Sequence, residues 1–379
     1  MSARTSSGPG ALTRVFGSQW FVSVLAVIIA FAIGAILIAL SGASVLDAYY
    51  AMFRGSIVDP NASTFVRQIK PLTDSLFYSI PLIISGLGLA LGFRARLFNI
   101  GGKGQIIVGA LAAVWVGFAV NLPPVLHTLV ALLVAVIAGG LYGGIAGVLK
   151  AKTGANEVIV TIMLNSIATL GLGYTLAQKA WQVPGTNQPV TPKVAESAAL
   201  ARLLPAPFKL HVGFLVALVA LVAFWWLIER STLGFQIRAV GANAAAARTA
   251  GISVERITAI TMVLSGAFLG LAGANEALGT IGYVSRDVAG SIGFDAITVA
   301  LLGRNKTWGT FGAGLLFGAF KAGGYTMQAK GVPIDMILIL QSVIVLLIAA
   351  PALVRWLFRL PDARALAART RKGDADEHK

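Results

Sequence analysis

Apolar stretches of about twenty residues recur along this chain, among them Trp20 to Leu40, Leu72 to Gly92, Val125 to Leu149 and Ile334 to Leu353. Each, coiled as a helix, is long enough to cross the hydrocarbon of a bilayer. Backbone in hydrocarbon must satisfy its own hydrogen bonds, and runs of this length do so as helices. Composition removes the alternative of a soluble core. With 57% hydrophobic and 12% charged residues among 379, and a mean hydropathy of +0.81, there is too little polar surface for a soluble protein of this size. A net charge of +15 would suggest nucleic acid in a soluble domain. Here the basic residues gather at the ends of apolar runs and in the tails, so orientation and anionic membrane lipids account for them and no nucleic-acid partner is expected. There is no cysteine, and His127, His211 and His378 are scattered, so neither disulfides nor a metal site is expected.

Charge at the run ends sets the expected sidedness. Arg4 and Arg14 precede the first run, Arg94-Ala95-Arg96 closes the second, Lys150 and Lys152 follow Val125 to Leu149, and Arg355 and Arg359 follow the last. All of these mark the cytoplasmic side. Ser41-Gly42-Ala43 faintly mimics a signal-cleavage site, but the preceding run is longer than a signal-peptide core and reads as a retained span. Ser44 to Lys70, with Asp47, Asp59 and Asn61, should lie outside as polar sequence. The expectation is an all-α polytopic membrane protein of about ten spans with both termini cytoplasmic. It comprises an N-terminal tail (1–19), a single transmembrane domain (20–354) and a basic C-terminal tail (355–379). Two of the ten, Ser291 to Leu302 and Trp308 to Ala322, are short and meet at Arg304-Asn305-Lys306, and the even count depends on both crossing.

Two segments break the apolar pattern within the membrane. Leu97 to Gln105 reads LFNIGGKGQ and leads straight into an apolar run. Its glycines weaken a helix while Asn99, Lys103 and Gln105 are polar where hydrocarbon is near, so the spacing predicts a broken helix or re-entrant turn sheltered by protein or a cavity. Asn156 to Ala177 carries Thr161, Asn165, Ser166 and Thr169 inside an apolar span. Asn165 stands about 13 Å along the helix and needs a partner there. It either lines a translocation path or makes an interhelical hydrogen bond.

The proline-rich connection from 178 to 210 falls outside by alternation, as a docking face or a plain structured loop. The polar stretch from Glu229 to Arg256 falls inside, where Arg230, Arg238, Arg248 and Arg256 outnumber Glu229 and Glu255. Within it Asn243 can cap a helix, Ala244 to Ala250 favours one, and Gly251 can close it in the left-handed conformation. The stretch is expected to be a short rigid helix on the membrane surface, or more plainly an amphipathic connector.

Three motifs together, Phe98-Asn99-Ile100-Gly101 with Gly104-Gln105, Asn156-Glu157-Val158-Ile159 with Met163-Leu164-Asn165, and Gly234, Arg238-Ala239, Gly241, Asn243, then Gly251-Ile252, resemble the permease subunits of ATP-binding-cassette importers. The resemblance is to the class that moves branched-chain amino acids, simple sugars and nucleosides, with the bacterial nucleoside branch most similar. It implies a bacterial cytoplasmic (inner) membrane and a cytoplasmic ATP-binding subunit docked on residues 229–256. Gly234, Arg238, Gly241, Asn243, Arg248 and Gly251 would carry the coupling. It also implies a second homologous permease, as a heterodimer, and a substrate-binding lipoprotein outside. One departure is Lys103, where the class often has an acidic residue, so no acidic role carries over.

The polar positions in or near apolar spans, Asn99, Gln105, Thr161, Asn165 and Gln341, are the candidate substrate path. No nucleotide-binding loop, paired carboxylates or serine-histidine-acid arrangement is present, so catalysis by this chain alone is not expected, and the resemblance implies a transport subunit, not an enzyme, that needs no cofactor. Lys103 sits in Gly-Lys-Gly, but without the spacing of a phosphate loop. A simple-sugar permease is the second reading. An ion-coupled secondary transporter is the third, and only Asp295 is placed to serve one.

Overall fold

The computed structural model describes residues 19–329, 331–333 and scattered positions between 336 and 347. Expectations for the two tails, for the last span from Ile334 to Leu353 and for Gln341 fall wholly or mainly outside these. Among the described residues there are twelve α-helices and no strand beyond an isolated bridge between Arg202 and His211. Six helices among the described residues are long and apolar enough to cross a membrane. The chain divides into two compact units, one formed by its N-terminal 51 residues with those from 327 onward, the other by residues 52–326.

In the first unit α1 (Gln19–Leu40) coincides with the first expected span. It ends where Gly42 takes the left-handed conformation, φ +81°, and the Ala43 N–H reaches back to the Ile38 carbonyl. Tyr49 folds onto α1, its hydroxyl donating to the Phe31 carbonyl and its ring edge-on to Phe31 at 5.4 Å.

Tyr49 belongs to α2 (Val45–Ser56), a helix inside the stretch Ser44 to Lys70 that reads as polar sequence. Asp47, Asp59 and Asn61 dominated that reading. Between them Ala48, Ala51 and Met52 form a buried stripe at helical spacing. Arg54 pairs with Asp59 through two hydrogen bonds of 2.8 and 2.9 Å, which hold the Asp59 carboxyl below the ordinary carboxylate range.

The second unit is built around α3 (Phe65–Arg94) and α10 (Val254–Asn275), packed with α4 (Gly102–Ala119) and α5 (Leu126–Thr153). α3 is the most enclosed, with 83% of its apolar window buried, whereas α6 (Glu157–Ala177) has only 22% buried and lies at the edge. Lipid tails give apolar side chains no reason to prefer each other, so contact must come from close packing, and small residues provide it. At the crossing of α5 and α10, Gly139 faces Gly266 and Gly270 so tightly that a Cβ on Gly266 would stand 2.3 Å from the Gly139 carbonyl oxygen.

α7 (Gly213–Trp225) continues through a wider turn to Arg230 and leads into α8 (Thr232–Ala242) and the six-residue α9 (Ala244–Thr249). α11 (Ile292–Leu302) rises only about 16 Å, half a bilayer. It turns through Arg304 and Asn305, both at positive φ, into α12 (Thr307–Gln328). Asp295 on α11 is a sheltered charge. It lies 2.8 Å from Lys321 on α12 and accepts from the Ser291 hydroxyl.

The expected connection from 178 to 210 carries one short helical turn, Lys179–Trp181, and is otherwise irregular, exposed from 184 to 189 and anchored to the bundle at points beyond them. Ala198, Leu200, Phe208 and Leu210 are buried. Backbone bonds run from Ala195 to Gly117, Leu200 to Leu278 and Thr191 to Val284. His127 lies beneath this cap with one ring nitrogen 2.8 Å from the Ser197 hydroxyl and the other 3.0 Å from the Val116 carbonyl oxygen, a structural role. No cluster of metal-ligating side chains occurs among the described residues.

Candidate functional site

Between α3 and α4 the chain leaves helical geometry for Leu97 to Gly101. This loop is sunk within the bundle. Its Asn99 binds Ser265, about 16 Å along α10 from the start of that helix. Backbone at such depth has no water to turn to, and α6 supplies the partners. Glu157, Thr161 and Asn165 stand at i, i+4 and i+8, one stripe of a helix.

The Glu157 carboxylate accepts from the Phe98 N–H at 3.3 Å, the Thr161 hydroxyl from Ile100 at 3.2 Å and the Asn165 carbonyl from Gly104 at 2.8 Å. The Asn165 amide then donates back to the Ile100 carbonyl at 2.9 Å. From the other side the Asn99 side chain accepts from Gly101 N–H and from the Gln105 amide, while its own amide donates to Gln105 and Ser265. The two sequence motifs are thus two halves of one object, a loop and its clamp.

Four of the five candidate path residues therefore meet here, and Gln341 lies outside the described residues. Asn99, Gln105 and Thr161 are essentially inaccessible, at 1%, 1% and 0% exposure, and Asn165 is half-buried. Glu157 was not expected to take part, because its place at the start of α6 suggests exposure. It is 8% exposed and also bound by Lys150. Its signal in the sequence is the spacing to Thr161 and Asn165.

Asn165→Ala strips a donor from Ile100 and an acceptor from Gly104, each loss worth about 1–3 kcal/mol in a buried setting. We expect a lower melting temperature and maximal transport rate with unchanged apparent substrate affinity. A selective loss of affinity would instead mark Asn165 as a substrate contact.

The polar stretch from Glu229 to Arg256 holds two helices where one was expected. α8 begins at Ser231, whose hydroxyl accepts from the Gly234 N–H. α9 begins at Asn243, whose side chain accepts from Ala245 and Ala246 at 3.0 and 3.1 Å. α9 ends through Gly251 at φ +83°, with the Ile252 N–H on the Ala247 carbonyl, the cap that the sequence predicts.

Most of α9 is exposed, Arg248 included, 3.8 Å from Glu255. Gly234 and Gly241 are buried. Arg238 is partly buried, with one guanidinium nitrogen enclosed and lacking a hydrogen-bond partner.

α8 meets the floor of the sunken loop at Gly241. A Cβ there would stand 2.0 Å from the Arg94 carbonyl oxygen and 3.0 Å from the Ala95 Cα. Arg94 itself donates to the Asn305 carbonyl at 2.7 Å and lies 3.8 Å from Glu229. α8 at Gly241, the end of the α7 extension at Glu229 and the turn into α12 at Asn305 thus meet at one residue, Arg94, which closes α3 ahead of the loop.

A family model described as branched-chain amino acid transport system / permease component matches residues 72–349. The chain is 40% identical over 349 residues to the guanosine ABC transporter permease protein NupP of Bacillus subtilis, covering 89% of this chain and 95% of that one. It is 31% identical over 359 residues to the nucleoside ABC transporter permease protein NupB of Lactococcus lactis, covering 92% and 94%. It is 35% identical over 333 residues to the glucose ABC transporter permease protein TsgB13 of Haloferax volcanii, covering 85% of each. No solved structure matches the chain.

Proposed function

The chain belongs to the branched-chain amino acid transport system / permease component family, and from that premise we propose that it is the membrane subunit of an ATP-driven importer for nucleosides. The observation that carries the substrate class is the 40% identity to a guanosine permease across nearly the whole of both chains. A simple sugar is the second reading, favoured by the 35% identity to a glucose permease. Catalysis belongs to a separate cytoplasmic ATP-binding subunit, and this chain supplies the path.

In this reading the basic end of the bundle faces the cytoplasm, with both termini there, about ten spans in which the half-length α11 crosses together with the irregular stretch before it, and α9 projecting toward the ATPase. Gly234, Arg238, Gly241, Asn243, Arg248 and Gly251 form the coupling element. Arg248 and the capped α9 present the docking surface, Gly234 and Gly241 fix α8 against the bundle, and Gly251 ends the lever cleanly. Asn99, Gln105, Thr161 and Asn165 position the sunken loop that shapes the path. A second, homologous permease completes the pore, and a substrate-binding lipoprotein delivers the nucleoside from outside. The membrane is the bacterial cytoplasmic membrane.

Uptake of labelled guanosine, adenosine, ribose and glucose by the reconstituted complex tests the substrate class. Import of the two nucleosides without ribose is expected, and import of ribose or glucose alone would overturn it. A cysteine introduced as Ala246→Cys, in a chain with no other, tests orientation. It should resist impermeant maleimide in intact cells and react in inverted vesicles, and labelling of intact cells would reverse the topology.

A further inference from the structure

At the end of the bundle away from Arg94, a cavity of about 950 Å³ opens between the 54–67 stretch, the first turns of α3, Lys209 and the end of α12. Its size is that of a small-molecule site. Tyr325 presents its ring, half exposed, and is backed by Tyr78 at 5.3 Å between centroids with the rings 36° apart. The spacing is too small for a third ring to slip between them, so the free face of Tyr325 is the one available for stacking.

α12 is held there by its glycines, Gly314 against Ile83 and Gly318 against Ser75 and Ser79, which fixes the position of Tyr325 relative to α3. On the same wall Asp74 is bound by Lys70 through one carboxylate oxygen. Its other oxygen is enclosed and has no hydrogen-bond donor. A buried acceptor left without a donor is rare in folded protein and calls for a ligand group that supplies one. The deeper charges are paired, Arg54 with Asp59 and Lys70 with Asp74, while Arg67 and Lys209 stay at the exposed rim.

We propose that this vestibule is a nucleoside-binding site, where the base stacks on Tyr325 and an N–H or ribose hydroxyl donates to the carboxylate of Asp74, one oxygen of which its own chain leaves without a donor. The inference rests on the nucleoside reading above and adds a site distinct from the sunken loop, whose polar groups are already engaged. A flat ring and a donor-bearing edge on one neutral molecule match what the wall offers. Stacking on an aromatic side chain tolerates different bases, so adenosine and guanosine should both bind.

The test uses the purified complete complex without nucleotide or binding protein, with a single cysteine placed beside the ring as Thr326→Cys or, on the facing wall, Ser63→Cys. Maleimide labelling of this chain is followed against guanosine, adenosine, ribose and guanosine monophosphate. Guanosine and adenosine should slow labelling at both positions while ribose does not. Tyr325→Ala should raise the half-protecting concentration about tenfold, with Tyr325→Trp close to the parent.

Guanosine import by a complex whose labelling guanosine leaves unchanged would overturn the site while leaving the transport reading intact. Protection that survives Tyr325→Ala would do the same. Equal protection by ribose, or better protection by the monophosphate, would overturn the nucleoside assignment. A complex that imports no nucleoside at all removes both readings.

Discussion

Gly241→Ala is expected to cut ATP-driven transport sharply while leaving the protein in the membrane at normal level. The added methyl would lie 2.0 Å from the Arg94 carbonyl oxygen and 2.9 Å from its carbon. Both are backbone atoms that cannot rotate away, so α8 must lift from the floor of the sunken loop. A lever displaced at this rigid contact moves without moving the loop, because packed interfaces switch between discrete arrangements instead of bending. Transport by the reconstituted complex should fall at least about tenfold with ATP hydrolysis retained, a loss of about 1.4 kcal/mol or more of transition-state stabilisation.

Gly251→Ala is the contrasting case. Gly251 sits at φ +83° with nothing within 4 Å of the point where a methyl would stand, so the change costs only the left-handed strain of an alanine, about 1–2 kcal/mol. It should fray the end of α9 and reduce coupling modestly. Equal transport by Gly241→Ala and the parent would sink the assignment of α8 as the coupling arm.

Gly266→Val is expected to abolish recovery of folded, monodisperse protein. A Cβ at this position would stand 2.3 Å from the Gly139 carbonyl oxygen, and one at Gly270 would stand 2.3 Å from that of Ala135. Separating α5 from α10 by even about one ångström forfeits the dispersion contacts that hold two helices together in lipid, where no hydrophobic drive replaces them. Overpacking a close-packed interior typically costs about 1–3 kcal/mol, occasionally more. Valine here meets backbone on the facing helix and belongs at or beyond the upper end of that range. Gly312→Ala, on α12 with open space around it, should match the parent in size-exclusion profile and melting temperature. Normal recovery of Gly266→Val would show that α5 and α10 do not pack at this crossing.

Much of the local structure could be read from the residues themselves. The apolar runs became α1, α3, α5, α6 and α10, and Asn156, Asn243 and Gly251 sit at the helix ends where their chemistry places them. Hydropathy and capping are properties of a segment, so they appear in the sequence. What stayed hidden depends on partners far along the chain. Glu157 reads as an exposed residue at a helix start until Phe98 and Lys150 are brought to it. Asp295 and Lys321 read as two separate problems until they meet at 2.8 Å. The stripe of Ala48, Ala51 and Met52 was obscured by acidic neighbours, and the anchored cap from 178 to 210 has no periodicity to betray it. Tyr78 and Tyr325 look like ordinary membrane aromatics until their helices cross.

The sunken loop has a consequence for how such a protein changes cargo. Every hydrogen-bonding group of the Asn99 side chain is taken by its own chain, and the backbone of Ile100 and Gly104 is held by α6. The Asn99 side chain and the backbone of Ile100 and Gly104 are therefore committed to the loop's own scaffold. Selection for a new nutrient can act on the vestibule and leave residues 97–105 alone, so a transporter retuned at Tyr325 keeps its inner machinery without compensating change.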